Sequence, residues 1–332
     1  MTYYLQAASG QMEILRNQKP IPEVITHKDV DPAIKKKLEF VQNILDFARR
    51  DLMLPNNGSY RTYARIDREY VVWNVFAAPE LSVEARQWCY LFAGCLSYRG
   101  YFDQARARST AKKLKEDGWD VYVGGVSAYS TLGWFRDPVL STMLDRPDWE
   151  IARLVFHELA HQKIYIHNDV DFDEAFADSL ARIGLMRWLE TRPLSGKELI
   201  LAEIAREDEI FNLLLRYRDK LSRLYLSGAD DDVKRQEKIR ILDKLQNDYD
   251  FLRRNWGNDH RYDAWMRNGM NNAKLAAVST YRKLVPYFIQ LYQSSGQDLQ
   301  SFYSLVASLG RCKKAQRLQL LKHYPNVDIL CS

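Results

Sequence analysis

Apolar residues recur every three to four positions over long stretches of this chain, and that spacing predicts amphipathic helices. Residues 31–53 show it clearly, after a segment that opens with the apolar run YYLQAA and continues into an extended, proline-containing stretch at 19–25. From about residue 147 the pattern is helical almost to the end of the chain. Further helices are predicted over residues 171–192, 196–256 (two long charged helices split near 227–232), 272–293, 297–308 and 313–322.

The region before residue 147 is mixed. Residues 68–80 and 119–135 are rich in β-branched and aromatic residues, which predicts strands. The second strand breaks at Gly124-Gly125 and is expected to end as an irregular edge. Residues 102–118, between the two strands, have a helical pattern. Together these patterns predict an α+β, mostly α-helical fold with a small mixed sheet and a helical C-terminal half.

Composition and charge narrow the classes of function. The chain has 332 residues, of which 46% are hydrophobic and 27% charged, so it can bury a sizeable core. Its net charge of +5 comes from interleaved residues of both signs without a long basic block, which gives no reason to expect a nucleic-acid partner. No run of 18 apolar residues occurs, so no membrane span is predicted.

The four cysteines, at positions 89, 95, 312 and 331, match no zinc-ligand spacing. Cys89 and Cys95 are close enough in sequence to form a disulfide if the compartment is oxidising. Buried free thiols are an equally good interpretation of the pattern.

The strongest chemical signal is the string His157-Glu158-Leu159-Ala160-His161, which has the pattern H-E-x-x-H. Positions i and i+4 share one face of a helix, so His157 and His161 can both present a ring nitrogen to one zinc ion. Glu158 would then reach a metal-activated water rather than the metal, and act as general base and acid. The alternative is a helix with two ordinary histidines whose hydrogen bonds are satisfied.

A third metal ligand could be either of two downstream residues. His157, His161 and His167 have the H-E-x-x-H-x-x-G-x-x-H spacing of metzincins, but Ile164 occupies the glycine position. A β-branched residue is a poor substitute for glycine where the chain must turn with positive φ. His167 is therefore expected to stay at the end of the helix or in the following loop.

Glu174 is the better candidate, since it lies near the start of the next predicted helix. Asp178 follows one turn later on the same face and could accept the outer N–H of a ligand histidine. The alternative makes Glu174 the N3 residue of a capping arrangement begun by Asp171. Asp173 would point about 100° away around the helix and is a poorer ligand.

Several motifs in a fixed order resemble a bacterial family of predicted zinc aminopeptidases. FHELAHQKIY is followed by FDEAFAD, and the resemblance extends over most of the chain. The other matching segments are YYLQAASGQ at 3–11, YRGYF at 98–102, AYSTLGWFRDP at 128–138 and NNAKLAAVSTY at 271–281.

The resemblance implies that His157, His161 and Glu174 bind one zinc ion per chain and that Glu158 is the general base and acid. The family typically has Asn-Glu where this chain has Asp173-Glu174, which leaves the glutamate in place. Members commonly begin with a lipoprotein signal whose lipidated cysteine lies shortly before YYLQAA. The resemblance thus implies a periplasmic protein that is anchored by lipid in its precursor, and a chain that is in its mature or trimmed form.

Peptide hydrolysis also needs an edge for the substrate backbone and a donor for the oxyanion. One segment with small residues is a candidate for that edge: Gly124, Gly125, Val126, Ser127, Ala128 and Tyr129. The alternative is an ordinary edge strand in which the glycines form a bulge. Tyr281 is the first candidate for the oxyanion donor, ahead of Tyr262 and His260. Asn271 and Asn272 could cap a helix or hold substrate, and the sequence does not distinguish between these two roles.

These observations predict a zinc-dependent peptidase, gluzincin-like and zincin-like in fold, that acts on a peptide or small protein. Its description as an aminopeptidase rests on the resemblance, because no single acid stands out to bind a substrate amine. A single domain is expected over residues 1–332, with a mixed part at 1–146, metal-binding helices at 147–195 and a helical hairpin with C-terminal helices at 196–332. The alternative is a non-catalytic helical binding or scaffold protein, with a structural metal or none.

Overall fold

The computed structural model describes residues 2–90, 94–128, 136–192 and 196–325. It confirms an α+β, mostly helical fold with small sheets. Two compact units make up the chain, and neither is continuous in sequence. The first comprises Met1–Trp73, Gly125–Arg192 and Leu284–Ser332, and the second comprises Asn74–Gly124 and Pro193–Lys283. The prediction of a single domain stays a prediction.

The helices, numbered in chain order, are α1 (Thr2–Arg16), α2 (Ile21–Thr26), α3 (Pro32–Asp51), α4 (Gln104–Glu116), α5 (Ser141–Leu144), α6 (Asp148–Lys163), α7 (Val170–Glu190), α8 (Lys197–Tyr225), α9 (Asp231–Asn255), α10 (Asp263–Arg267), α11 (Asn272–Arg282), α12 (Val285–Ser294), α13 (Leu299–Gly310) and α14 (Lys314–His323). The strands are β1 (Gln18–Pro20), β2 (Thr62–Ala64), β3 (Val72–Ala78), β4 (Trp88–Tyr90), β5 (Gly94–Leu96), β6 (Arg99–Tyr101), β7 (Asp120–Val126) and β8 (Val139–Leu140).

In the first unit, α6 packs against α7, while α3 packs against α6. Gly184 of α7 allows this close approach, because a Cβ there would lie 2.9 Å from the ring of Phe156 on α6. Most residues of α7 are buried, and α12 covers it from another side. A small mixed sheet has β2 between antiparallel β1 and parallel β8. The tight α6–α7 pair is the element that positions the candidate site.

In the second unit, the long charged segment forms the predicted pair of helices, α8 and α9, which pack against each other. Their apolar faces share one core cluster, which includes Leu214 and Tyr217 of α8 and Leu245 and Tyr249 of α9. The described strands also form a sheet in the order β6-β3-β7 and a two-stranded hairpin of β4 and β5. A disulfide joins Cys89 to Cys95 across this hairpin, where the two residues are register partners.

Two local predictions from the sequence were wrong. Ile21–Thr26 is helical instead of extended, because Pro22 sits in its first turn, where the fixed φ of proline suits a helix. The helix predicted over 272–293 is two helices, α11 and α12. Pro286 lies in the first turn of α12, and a proline in the middle of a continuous helix would remove a hydrogen bond and clash with the preceding turn.

Among the described helices, none combines the length and the apolar composition needed to cross a bilayer.

Candidate metal centre

The two histidines of the H-E-x-x-H string lie on one face of α6, as their spacing predicts. Their Nε2 atoms are 3.2 Å apart, and both rings are largely shielded from solvent. One neutral imidazole can donate a hydrogen bond to the other across that distance, and the same two nitrogens could instead both direct a lone pair at a shared cation.

Glu174 of α7 completes the group. Its Oε2 atom lies 3.3 Å from Nε2 of His157 and 3.6 Å from Nε2 of His161. Within the described part of the chain, these are the residues whose ligand atoms converge into a group that could hold a metal, all within 4.8 Å of one another. Two helices therefore supply the candidate donor atoms. The two imidazole nitrogens come from α6, and the carboxylate oxygen comes from α7, which packs against it.

The donors fit a zinc ion in type and in spacing. Structural and catalytic zinc sites use imidazole nitrogen and carboxylate oxygen, and two ligands about 2.0–2.1 Å from a tetrahedral zinc are about 3.3 Å apart. The observed separations of the three donor atoms are 3.2, 3.3 and 3.6 Å. Three protein ligands would leave one tetrahedral position for water or substrate.

The carboxylate and the imidazoles of this group shift one another's pKa values. Burial alone would raise the pKa of Glu174, but the attraction and hydrogen bonds of His161 and His157 outweigh it and lower that pKa to about 2. Burial likewise acts to lower the pKa of His157, yet Glu174, Glu158 and Asp178 together raise it above its ordinary value. A permanently ionised carboxylate beside two imidazoles is a favourable environment for a divalent cation.

Glu158 lies beside the three donors without belonging to them. It is buried, and this burial raises the pKa of its carboxyl group, against the attraction of His157 and His161. Glu158 follows His157 directly on α6, and the charges of both histidines act on its carboxyl group. That is the position a proton-transferring group needs.

Asp178 follows Glu174 by one helical turn, and its carboxylate helps to raise the pKa of His157. The Nδ1 atom of His161 is buried without a hydrogen-bond partner in the part of the chain that the structure describes. The predicted hydrogen bond from a ligand histidine to Asp178 stays a prediction.

His167 lies away from this group. It is exposed, in the turn between α6 and α7. Ile164 caps α6 in an extended conformation with φ −142°, and the left-handed turn comes later, at Asn168 with φ 65°. The chain therefore leaves α6 without the sharp turn that a glycine would permit, and His167 does not join the group of candidate ligands.

The capping interpretation of Glu174 does not apply, because α7 begins at Val170 and Glu174 lies in its second turn. The neighbouring Asp173 has a structural contact instead. Its Oδ1 atom accepts a hydrogen bond from the backbone N–H of Ile166 at 2.8 Å, which ties the α6–α7 turn to α7. Burial raises the pKa of Asp173 to about 8, although that hydrogen bond opposes the shift.

The predicted substrate edge lies at the end of β7, an edge strand among the described strands. A Cβ at Gly125 would lie 2.2 Å from the ring of Tyr70, so this glycine makes room for the protein's own aromatic side chain. The carbonyl oxygens of Val126 and Ser127 accept hydrogen bonds from the backbone of Val71 and the side chain of Thr142.

The remaining members of that segment have different settings. A Cβ added at Gly124 would lie 3.0–3.2 Å from the side chain of Tyr122. Ala128 is half-buried, and Tyr129 lies outside the described residues. A role for this edge in binding peptide stays a prediction.

The candidate oxyanion donors lie in the second unit. Tyr281 of α11 is half-buried and packs on a cluster that includes Phe76 and Ala277. Tyr262 packs against Trp256, while exposed His260 pairs with Asp263 at 2.8 Å. Their catalytic roles stay predictions.

The two asparagines have hydrogen bonds that hold the second unit together. Asn271 is the N-cap of α11, and its side-chain oxygen accepts a hydrogen bond from the backbone N–H of Lys274. The Asn272 side chain is buried, donates to the carbonyls of Pro79 and Glu80, and accepts from the hydroxyl of Tyr225.

Sequence reasoning missed a loop that packs beside α6, the helix that carries the two candidate histidines. Asn57 and Ser59 both hydrogen-bond to Gln162, the residue after His161, and Tyr60 follows them with a fully buried side chain. The sequence PNNGS indicates a turn here, but a turn signal does not say which helix the loop will contact.

Comparison with known proteins gives one result. The sequence profile of the family described as "Putative aminopeptidase" matches residues 2–321. No curated protein and no solved structure matches the chain significantly. Because that profile covers nearly the whole chain, the protein belongs to the putative aminopeptidase family.

Proposed function

We propose that this protein is a zinc-dependent peptidase of the gluzincin type, with a zincin-like catalytic fold. The observation that supports this most directly is the convergence of His157, His161 and Glu174 within 4.8 Å, next to Glu158 on the same helix. Zinc, when bound, would act as a Lewis acid and make water nucleophilic near neutral pH. The family description adds a peptide as the substrate class.

The role of Glu158 follows from its place beside the donors. Its carboxylate accepts one proton from the attacking water as the new C–O bond forms at the scissile carbonyl. It then passes this proton to the departing amine nitrogen when the C–N bond breaks, and is ready for the next cycle. The raised pKa of this buried carboxyl group makes it a stronger base toward the attacking water than an exposed glutamate would be.

We also propose aminopeptidase action and a periplasmic location, with a lipid anchor in the precursor. The first rests on the family and the anchor on the motif resemblance. The Cys89–Cys95 disulfide supports an oxidising compartment, where such bonds persist.

The first test is the metal content of purified protein, by elemental analysis, in wild type and two matched variants. Glu174→Ala should lose zinc, because it removes one of three ligands. His167→Ala should keep it, since His167 is exposed and outside the group. Loss of zinc from His167→Ala alone would overturn the ligand assignment.

The second test is cleavage of a decapeptide mixture, half with free and half with acetylated amino termini, followed by mass spectrometry. Zinc-dependent release of single N-terminal residues from only the free peptides supports an aminopeptidase. Internal cuts in both halves would make the protein an endopeptidase. Peptide binding without cleavage by zinc-loaded protein would instead support the helical binding protein.

A further inference from the structure

The segment that ends at Tyr60 has an unusual backbone. Tyr60 has φ 61°, in the left-handed region that a bulky side chain rarely adopts. Gly58, two residues earlier, also has positive φ, at 89°. Such strain persists only where the surroundings hold it in place, and it is concentrated at functional sites.

Several hydrogen bonds hold Tyr60 in this conformation. Its backbone N–H donates to the carbonyl of Asp137 at 2.6 Å, and its own carbonyl accepts from Gln42 at 3.1 Å. The side chain of Asn57 donates to Gln162 at 2.8 Å, and Gln162 donates to Ser59 at 3.4 Å. The segment is thus fastened to α6.

The attachment point places this segment beside the proton-transferring carboxylate. Gln162 and Glu158 are four residues apart on α6 and therefore share one face of the helix. A loop that is bonded to Gln162 therefore meets α6 on the face that carries Glu158. Burial, and then the charges of Glu158 and Asp137, raise the pKa of the Tyr60 phenol, which agrees with a short separation.

The hydroxyl of Tyr60 is the notable group. The side chain is only 1% exposed, and the hydroxyl has no hydrogen-bond partner among the described residues. If the ring only filled the core, phenylalanine would do so without the cost of a buried, unsatisfied hydroxyl. The hydroxyl is therefore expected to have a partner in a state that differs slightly from this one.

We propose that Tyr60 is a positioning residue for Glu158: its phenol donates a hydrogen bond to the Glu158 carboxylate after a small rotation of that side chain, in the resting protein as well as during proton transfer. This bond holds the carboxylate in one orientation. Glu158 has two oxygens and flexible side-chain torsions, so fixing one oxygen on Tyr60 leaves the other free for the proton. The proposal rests on the proposed function.

The test compares Tyr60→Phe with Tyr63→Phe. Tyr63 is a buried tyrosine of β2, three residues further on, whose hydroxyl interacts with Ser141. Tyr60→Phe should keep the zinc content of the wild type and lower kcat about 10-fold or more, with KM nearly unchanged, as expected for loss of a hydrogen bond to a charged group. Tyr63→Phe should keep wild-type kcat.

A second set of variants separates positioning from a general structural effect. In the Glu158→Gln background, Tyr60→Phe should cause little further loss of the residual kcat, because the two groups act as a unit. An equal loss in both backgrounds, or wild-type kcat in Tyr60→Phe, would overturn the proposal.

A third readout does not need turnover. In protein labelled with 13C at tyrosine Cζ, the Tyr60 resonance is assigned by its disappearance in Tyr60→Phe. It should shift when Glu158→Gln is introduced, whereas the Tyr63 resonance should not. A wild type that cleaves no peptide would refute the proposed function. The Tyr60 resonance would still test the hydrogen bond between Tyr60 and Glu158, and a resonance that does not move in Glu158→Gln would overturn the proposal.

Discussion

The turn before α7 is held by a buried ion pair, and removing its cation should cost a large part of the stability. Arg317 and Asp169 are 6% and 5% exposed, and their side chains bond to each other. The same guanidinium donates to the carbonyls of Leu309, Gly310 and Cys312 and lies over the ring of Phe172. This fastens α14 to the residue from which α7 starts, five positions before Glu174.

The magnitude follows from burial. Removing one partner of a buried pair costs about 3–5 kcal/mol, because the other charge stays buried. Here Lys314 remains 3.0 Å from Asp169 and compensates in part, but its own side chain is 64% exposed. We therefore expect Arg317→Met to lower the free energy of unfolding by about 3 kcal/mol, at the lower end of that range. Lys314→Met should cost under about 1 kcal/mol, as exposed ion pairs do.

The assay is urea unfolding followed by far-UV circular dichroism and tryptophan fluorescence, with zinc content measured on the same samples. Arg317→Met should also bind zinc less tightly, because Asp169 holds the first turn of the helix that carries Glu174. The double variant Asp169→Asn/Arg317→Met should be more stable than Arg317→Met alone, since it removes the buried charge that the single change leaves behind.

Either of two results would refute this reasoning. One is an Arg317→Met variant within about 0.5 kcal/mol of wild type, the range of ordinary surface substitutions. The other is a double variant that is less stable than the single one, which would mean that the uncompensated charge is not the cause.

Three other predictions follow from single features. Glu158→Gln should keep its zinc and lose about 100-fold to 10,000-fold in kcat, measured on the peptides that the wild type cleaves. Gly125→Ala should destabilise the protein by about 1–3 kcal/mol in urea, because its Cβ would fall 2.2 Å from an aromatic ring, while Gly228→Ala, with nothing within 4 Å, should be nearly neutral. Replacing Cys89 and Cys95 by serine should lower the unfolding free energy by about 2 kcal/mol, and an unchanged urea midpoint would argue against the bond.

Local patterns were sufficient for the elements that carry the candidate chemistry. The H-E-x-x-H string predicts that His157 and His161 face the same way, because that depends only on the helical repeat. The long helices α8 and α9 were also predictable from spacing, since their apolar stripes are continuous over many turns. The same reasoning failed at Pro22, because a proline among apolar residues can either begin a helix or interrupt one.

The choice of third ligand shows where local reasoning ends. Spacing offered both His167 and Glu174, and the steric argument about Ile164 favoured the second. What brings Glu174 to within 3.6 Å of the histidines is the packing of α7 on α6, which depends on the contact between Gly184 and Phe156, two residues that lie on different helices. The sequence contains these residues but does not show that they meet.

The sequence by itself therefore determined which side chains could do the chemistry and which of them share a helix face, because those properties depend on residue type and on a repeat of a few residues. Only the tertiary structure decided which helix supplies the carboxylate, that α14 holds the start of α7, and that Tyr60 lies buried in a loop that is hydrogen-bonded to α6. These depend on contacts between residues as many as 148 positions apart, as Asp169 and Arg317 are, and such contacts arise from packing the whole chain at once.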